Sequence, residues 1–192
     1  TMPDYYETHC QAYSEETVSV DPEPILTPLI RRLSPGARIL DVGCGSGRDL
    51  KWLGERGFSV IGLERSPGLA ALARRHAGCH VIQADFQTFD FSALSVDGIC
   101  LIGALVHLPH PEMAPTLSRI AQALKPAGVI LISLKGGQGT VTDDRGRTFY
   151  LWSDTALRTA FRAAGFRVAD AVTQTSAVRA SDLWHGYVLT PI

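Results

Sequence analysis

Residues Ile39-Leu40-Asp41-Val42-Gly43-Cys44-Gly45-Ser46-Gly47-Arg48-Asp49-Leu50 run from an apolar strand pattern through three alternating glycines into a helix pattern. Glycine lets a backbone turn tightly and approach a ligand without a Cβ in the way, and the N–H groups of a helix start favour polar or anionic atoms. A plain turn does not need Gly43, Gly45 and Gly47 together, so the segment suits a nucleotide-like ligand, with Cys44 packed beneath it as a small side chain of no assigned chemistry. Arg48 stands where a dinucleotide fingerprint carries its third glycine, which counts against a nicotinamide cofactor. Seventeen residues past Gly47, at the end of Val60-Ile61-Gly62-Leu63, Glu64 is placed to accept both hydroxyl protons of a ribose, with Arg65 next in line. After the third apolar run, Asp85 suits a hydrogen bond from an exocyclic adenine amine and Phe86 a wall of the base pocket. The same aspartate equally suits the cap of a short helix.

These residues need a scaffold that brings successive strand ends to one edge. From Arg38 onward short apolar runs alternate with amphipathic stretches: strands over 38–42, 58–63, 80–83, 98–103 and 128–134, and helices over 50–56, 69–76 and 113–124. That alternation predicts a doubly wound α/β fold, a parallel sheet covered on both faces. The 113–124 helix is expected to stop at Lys125-Pro126, because proline cannot continue it. A Gly-rich stretch at 136–139 and a polar connection through Arg147 lead to a helix over 154–164, capped by Gly165. Two last strands near 166–172 and 183–189 leave no room for a crossover helix and are expected to pair antiparallel. Ahead of the first strand the spacing predicts two helices, with Pro3 near a first helical position and a break at Asp21-Pro22.

The glycine segment resembles motif I of class I S-adenosylmethionine-dependent methyltransferases, a strand followed by D/E-x-G-x-G-x-G, in which Asp41, Gly43, Gly45 and Gly47 all match. The similarity extends through Glu64, Asp85, the strand from Asp97 to Gly103, Leu124-Lys125-Pro126-Ala127-Gly128 and Phe161-Arg162-Ala163-Ala164-Gly165-Phe166, nearly the whole chain from about Pro35. It implies a seven-stranded, mostly parallel Rossmann-like sheet with its last strand antiparallel, and S-adenosyl-L-methionine, giving S-adenosyl-L-homocysteine as product, across the strand ends. It also implies that Asp41 orients the glycine loop and the amino end of the cofactor. Gly103 joins the cofactor-binding set, and Arg48 either pairs with the cofactor's carboxylate or is a solvated residue of a first helical turn. His107, in Gly103-Ala104-Leu105-Val106-His107-Leu108-Pro109, occupies the loop that in this family faces the transferring methyl, as a base, a substrate contact or a structural histidine. The run Tyr5-Tyr6-Glu7-Thr8-His9-Cys10-Gln11-Ala12-Tyr13 resembles an aromatic lid helix, with Tyr13 beside the cofactor and Tyr6 beside the acceptor, unless both tyrosines merely dock it on the core. Phe149, Tyr150 and Trp152 offer a second wall, Trp152 as a substrate contact, while Trp184 reads as sheet packing.

The 192 residues fit one domain, with residues 1–34 as lid helices and 35–192 as the cofactor-binding core. Lys and Arg total 18 against 19 Asp and Glu, with no basic run, which argues against a nucleic-acid partner. The longest apolar stretches fall far short of the roughly 20 residues of a membrane span, so no membrane association is expected. Cys10, Cys44, Cys79 and Cys100 contain no CxxC pair, and Pro109 and Pro111 interrupt any ligand spacing around His107, His110 and Glu112. Reduced thiols, no metal site and a cytoplasmic setting are the expectation. The segment IGALVHLP lacks the Asp/Asn-Pro-Pro-aromatic pattern of amino-methylating nucleic-acid enzymes and the Pro-Cys of cytosine-C5 enzymes. The acceptor is therefore expected to be a small molecule, methylated on O, N or S by a monomer or homodimer. A non-catalytic cofactor-binding protein and a nicotinamide oxidoreductase are the rival readings.

Overall fold

A computed structural model describes residues 5–176 and 182–192, and Pro3 lies outside them. The chain begins with α1 (Tyr5–Thr8), α2 (Cys10–Thr17) and α3 (Glu23–Ile30). The helix expected from Tyr5 is thus in two pieces: His9 adopts φ −122° and ψ 24°, and its ring stacks on Tyr5 at 4.5 Å. Next come β1 (Arg38–Val42), α4 (Arg48–Glu55), β2 (Ser59–Glu64), α5 (Pro67–Ala77), β3 (His80–Gln83), β4 (Val96–Ile102), α6 (Met113–Ile120) and β5 (Leu124–Lys135). A hairpin of β6 (Thr140–Thr142) and β7 (Thr148–Tyr150), then α7 (Asp154–Ala163), β8 (Phe166–Thr175) and β9 (Leu183–Pro191) complete the order.

The main sheet has seven strands in the order β3-β2-β1-β4-β5-β9-β8. The pairs among β1 to β5 are parallel, and β9 runs antiparallel to both β5 and β8. Alternate residues of the central strands enter opposite cores, as a sheet covered on both faces requires. Ile99, Leu101, Ile130, Ile132 and Leu134 pack with Met113, Leu117 and Ile120 of α6 and Leu157 and Phe161 of α7. Cys100, Val129 and Leu131 face the other way, onto Ile25, Leu26 and Leu29 of α3 and Trp52 and Leu53 of α4. Each fully buried leucine or isoleucine contributes about 1.5–3 kcal/mol by leaving water, so these two layers hold the strand tips in place. Ser66 Oγ accepts the Leu69 N–H at 3.2 Å to start α5, and Ser153 Oγ accepts the Ala156 N–H at 3.3 Å to start α7.

Two expected boundaries are corrected. The helix predicted over 113–124 ends at Ile120, a short 3-10 turn follows over Ala121–Ala123, and Lys125-Pro126 lies within β5 instead of closing the helix. Leu124 pairs with Val96, but pairing resumes only at Gly98 with Val129, so Pro126 occupies an irregularity where the ladder makes no demand on its missing N–H. The connection expected to be merely polar folds into the β6–β7 hairpin. Its turn is tied by Asp143, whose carboxylate accepts the backbone N–H groups of Arg145 and Arg147 at 3.0 and 2.9 Å, with Gly146 at φ 75°.

Candidate functional site

The turn after β1 supplies the floor of the site. Gly43, Gly45 and Gly47 have φ of 71°, 52° and 79°, and a Cβ on Gly47 would lie 2.8 Å from the Ala73 Cα, so glycine is required there by both conformation and space. Glu64 at the tip of β2 ties this turn to the next: its Oε2 accepts the Gly45 N–H and its Oε1 the Ser66 N–H, each at 2.9 Å. Burial pushes the Glu64 carboxyl above its usual range, against the lowering effect of those two N–H groups.

Two cavities open along the carboxyl ends of the parallel strands. One of about 290 Å³ is lined by Glu64, Arg65, Leu69, Ala84, Asp85, Phe86, His107 and Leu108. The other, of about 350 Å³, is lined by Cys44, Arg48, Asp49, Ser133, Lys135, Arg145, Arg147, Phe149 and Trp184 among others. They share Tyr6, Tyr13, Gly43, Gly45, Ile102 and Gly103, so the glycine turn and the two tyrosines stand between them. Gly103, at φ 64°, donates its N–H to Ser133 Oγ at 3.0 Å, which fastens the β4 tip to β5.

Beneath the loop, Asp41 is 2% exposed and its Oδ2 makes no hydrogen bond. Desolvation, reinforced by Asp49 and Glu64, holds its carboxyl well above the usual range, with Arg48 opposing. Arg48 pairs with Asp49 at 2.6 Å. Cys44 is buried under the loop beside Leu50, Ala70 and Ala73, and burial pushes its thiol far up, away from thiolate chemistry. Asp85 divides its carboxylate: Oδ1 accepts the Gln87 N–H at 2.8 Å, the turn-capping role, while Oδ2 lies 3.8 Å from Arg65.

The N-terminal helices lie over both cavities. Tyr6 packs edge-on against Tyr13 at 5.1 Å, and its hydroxyl lies 2.8 Å from His107 Nε2. His107 Nδ1 meets the Thr148 carbonyl, so both ring nitrogens are engaged. Glu7 accepts the Ser66 hydroxyl at 2.6 Å, and Glu16 forms an ion pair with Arg145 of the hairpin at 2.7 Å. Trp152 does not take its expected place, whereas Trp184 packs against the core as expected. Trp152 lines neither cavity: it is buried in the α6–α7 core, where its backbone N–H bonds the Lys135 carbonyl and its ring packs on His110 at 4.3 Å. Trp184 also lines the larger cavity, with its ring 3.4 Å from where a Gly103 Cβ would stand.

Sequence reasoning missed the polar wall of the larger cavity. Lys135 pairs with Asp182 at 2.6 Å and stands 4.0 Å over the Phe149 ring, and Arg147 pairs with Asp143 at 2.7 Å. The strand-tip rule applied to Glu64 also reaches Lys135, which ends β5, whereas Arg145 and Arg147 depend on a hairpin with no strong period. Among the described residues no group of three His, Cys, Asp or Glu is placed to hold a metal ion. No helix of the described residues is long and apolar enough to cross a membrane.

Residues 39–128 match a family model described as a methyltransferase domain. The seven-stranded order with its antiparallel β9 and the glycine turn after β1 agree with that match. Over just under half of its length the chain is thus similar to a methyltransferase domain, and its sheet order and glycine turn are those that the resemblance to class I S-adenosylmethionine-dependent enzymes implies. The domain is 31% identical over 105 residues to a ubiquinone biosynthesis O-methyltransferase of Xanthomonas campestris, covering 52% of this chain and 43% of that protein. It is 34% identical over 110 residues to a dTDP-3-amino-3,6-dideoxy-alpha-D-glucopyranose N,N-dimethyltransferase of Streptomyces fradiae, covering 56% of this chain and 43% of that one. The match therefore spans less than half the length of these curated relatives. In fold, the chain is similar to a Burkholderia thailandensis 1,6-didemethyltoxoflavin-N1-methyltransferase whose structure holds its namesake ligand and S-adenosylhomocysteine, with TM-score 0.76 and 24% identity over 97% of this chain and 83% of that one.

Proposed function

We propose that this methyltransferase domain binds S-adenosylmethionine across the tips of β1, β2 and β3 and methylates an O, N or S atom of a small-molecule acceptor, releasing S-adenosylhomocysteine. The observation that carries this reading is the pair of cavities joined at the glycine turn, the smaller one with a carboxylate at each of two successive strand ends. The donor set fits the cofactor. Glu64 and Asp85 offer carboxylate oxygens for a ribose and an adenine amine, Phe86 and Leu69 offer apolar walls, and Gly43 and Gly45 leave room for close approach. Buried Asp41, with an oxygen that makes no hydrogen bond, suits the positive charge that the amino end of the cofactor brings to this turn.

When bound, the cofactor supplies an activated methyl on a cationic sulfur. The chain's own residues hold the reactants together and keep water out, which are the dominant contributions when two bound molecules must meet in line. Tyr6 and Tyr13 stand where the two cavities join, and the larger cavity, walled by Phe149 and Trp184, is where the acceptor would enter. In this reading residues 35–192 form the cofactor-binding core, the preceding helices are its lid, and the chain works on a small molecule without nucleic acid, metal or membrane. The relatives that methylate a ubiquinone precursor and a nucleotide sugar support a small-molecule acceptor.

Calorimetric titration with S-adenosylhomocysteine and, separately, NAD tests the cofactor. Binding of the first with no heat from the second is expected, and binding of NAD alone would overturn the reading. A screen of phenols, amines, thiols and small acids with S-adenosylmethionine then tests turnover. Cofactor binding with persistent inactivity would favour a non-catalytic binding protein.

A further inference from the structure

Thr148 of the hairpin, His107 and Tyr6 form one chain of hydrogen bonds at the junction of the two cavities, with Arg147 of the same hairpin beside it. Thr148 offers only a carbonyl to His107 Nδ1, so Nδ1 carries the proton. In the neutral ring Nε2 is then a lone pair, and the Tyr6 hydroxyl, 2.8 Å away, donates to it. Arg147, held by Asp143 through bonds of 2.7 and 3.0 Å, brings its guanidinium to 5.8 Å from the Tyr6 ring centre. A phenol hydrogen-bonded to an unprotonated imidazole nitrogen, with a guanidinium close to its ring, is arranged to give up its proton to the imidazole and take another from a neighbour. His107 lines only the smaller cavity and Arg147 only the larger, while Tyr6 lines both.

We propose that Tyr6 is the catalytic residue that takes the acceptor's proton, with His107 behind it as the final proton store and Arg147 as the positioning residue that favours the phenolate. This rests on the methyl-transfer reading above and names its substrate class: an acceptor with an ionisable O–H or N–H, not a thioether or tertiary amine. As the bond from acceptor to methyl forms, the carbon–sulfur bond breaks and its electron pair stays on sulfur. The acceptor's proton passes to Tyr6 Oη and the Tyr6 proton to His107 Nε2. The resulting imidazolium keeps its Nδ1–H on the Thr148 carbonyl and later loses the extra proton to water. The relay exists only with α1 in place, so lid closure and base assembly are one event.

Histidine ¹⁵N spectra of the full chain near neutral pH, with the His107 signals assigned by their loss in His107→Gln, test the arrangement without turnover. The Nδ1-protonated neutral form is expected, with the Nε2 signal moved by Tyr6→Phe. An Nε2-protonated form would overturn the relay, because Tyr6 would then be the acceptor. With phenols and amines as acceptors, Tyr6→Phe and His107→Gln are each expected to lower kcat by about 10²-fold or more, the usual scale of general-base loss, with KM and S-adenosylhomocysteine affinity unchanged. Unaltered kcat in Tyr6→Phe would overturn the proposal. Failure of the wild type to bind S-adenosylhomocysteine would instead overturn the methyl-transfer reading, whereas the wrong tautomer with that binding intact defeats the relay alone.

Discussion

Asp41 shows how a single residue can be unfavourable for folding and useful for binding. Its carboxyl is held well above the usual range by desolvation and by Asp49 and Glu64, whereas in the unfolded chain it ionises near the ordinary value of about 3.9. The folded state therefore binds the proton more tightly, and this contribution to stability is complete below the unfolded value and lost as pH rises through the raised one. Asp41→Asn is expected to flatten the fall in Tm between pH 5 and pH 8 in the absence of cofactor, while weakening binding of S-adenosylhomocysteine. A fall as steep as in the wild type, measured by calorimetric scans at both pH values, would contradict this. Glu64 works in the opposite sense on the loop, because its two oxygens fix the Gly45 and Ser66 N–H groups. Glu64→Ala leaves both donors without that acceptor and removes the proposed ribose contact, so it is expected to lower affinity for S-adenosylhomocysteine by tenfold or more, about 1.4 kcal/mol. Titration of the folded variant checks it, and wild-type affinity would remove Glu64 from the ribose site.

Among the elements, α4 depends on Gly47, and α1 and α2 on side-chain latches. Gly47 at φ 79° precedes α4, and a Cβ there would meet backbone atoms of Ala73 in α5. Gly47→Ala is expected to cost roughly 1–2 kcal/mol for the left-handed backbone alone, and each kcal/mol lowers Tm by about 2–4 °C at this chain length. An unchanged Tm in a melting scan would show that the turn relaxes. Over the cavities, α1 and α2 are fastened through Glu7 to Ser66, Tyr6 to His107 and Glu16 to Arg145. The Glu16–Arg145 pair is partly exposed, so Arg145→Ala is expected to leave Tm almost unchanged but to quicken hydrogen exchange in residues 5–17. Exchange at the wild-type rate would mean that the hairpin does not latch the lid. These elements were unequally legible in the sequence. The 38–42 strand and the 80–83 strand coincide with their expected limits, because each is a short apolar run cut off by loop residues. The end of α6 is not legible because proline signals a helix stop, whereas Pro126 occupies an irregular stretch of β5. The hairpin was missed because three-residue strands carry no usable period, and its turn is set by Asp143 side-chain bonds.

On the scale of the molecule, the sheet order brings residues far apart in sequence to one rim: Glu64 from β2, Asp85 after β3, Gly103 after β4 and Lys135 from β5. The part of this rim proposed for the cofactor is legible in the sequence because it is local, one motif per strand end. The larger cavity is not, because it is assembled from the N-terminal helices, the hairpin and β9. Trp152 and Trp184 illustrate the difference, since only tertiary packing decides which tryptophan enters the core and which faces the cavity. The central claim is that the rim cups an adenosyl ligand, and a crystal structure of the chain grown with S-adenosylhomocysteine tests it most directly. Density is expected along the tips of β1 to β3, with the ribose hydroxyls on Glu64, the adenine against Phe86 and the amino end over Asp41. A crystal in which the ligand binds elsewhere, or leaves both cavities filled only by solvent at saturating concentration, would contradict the account.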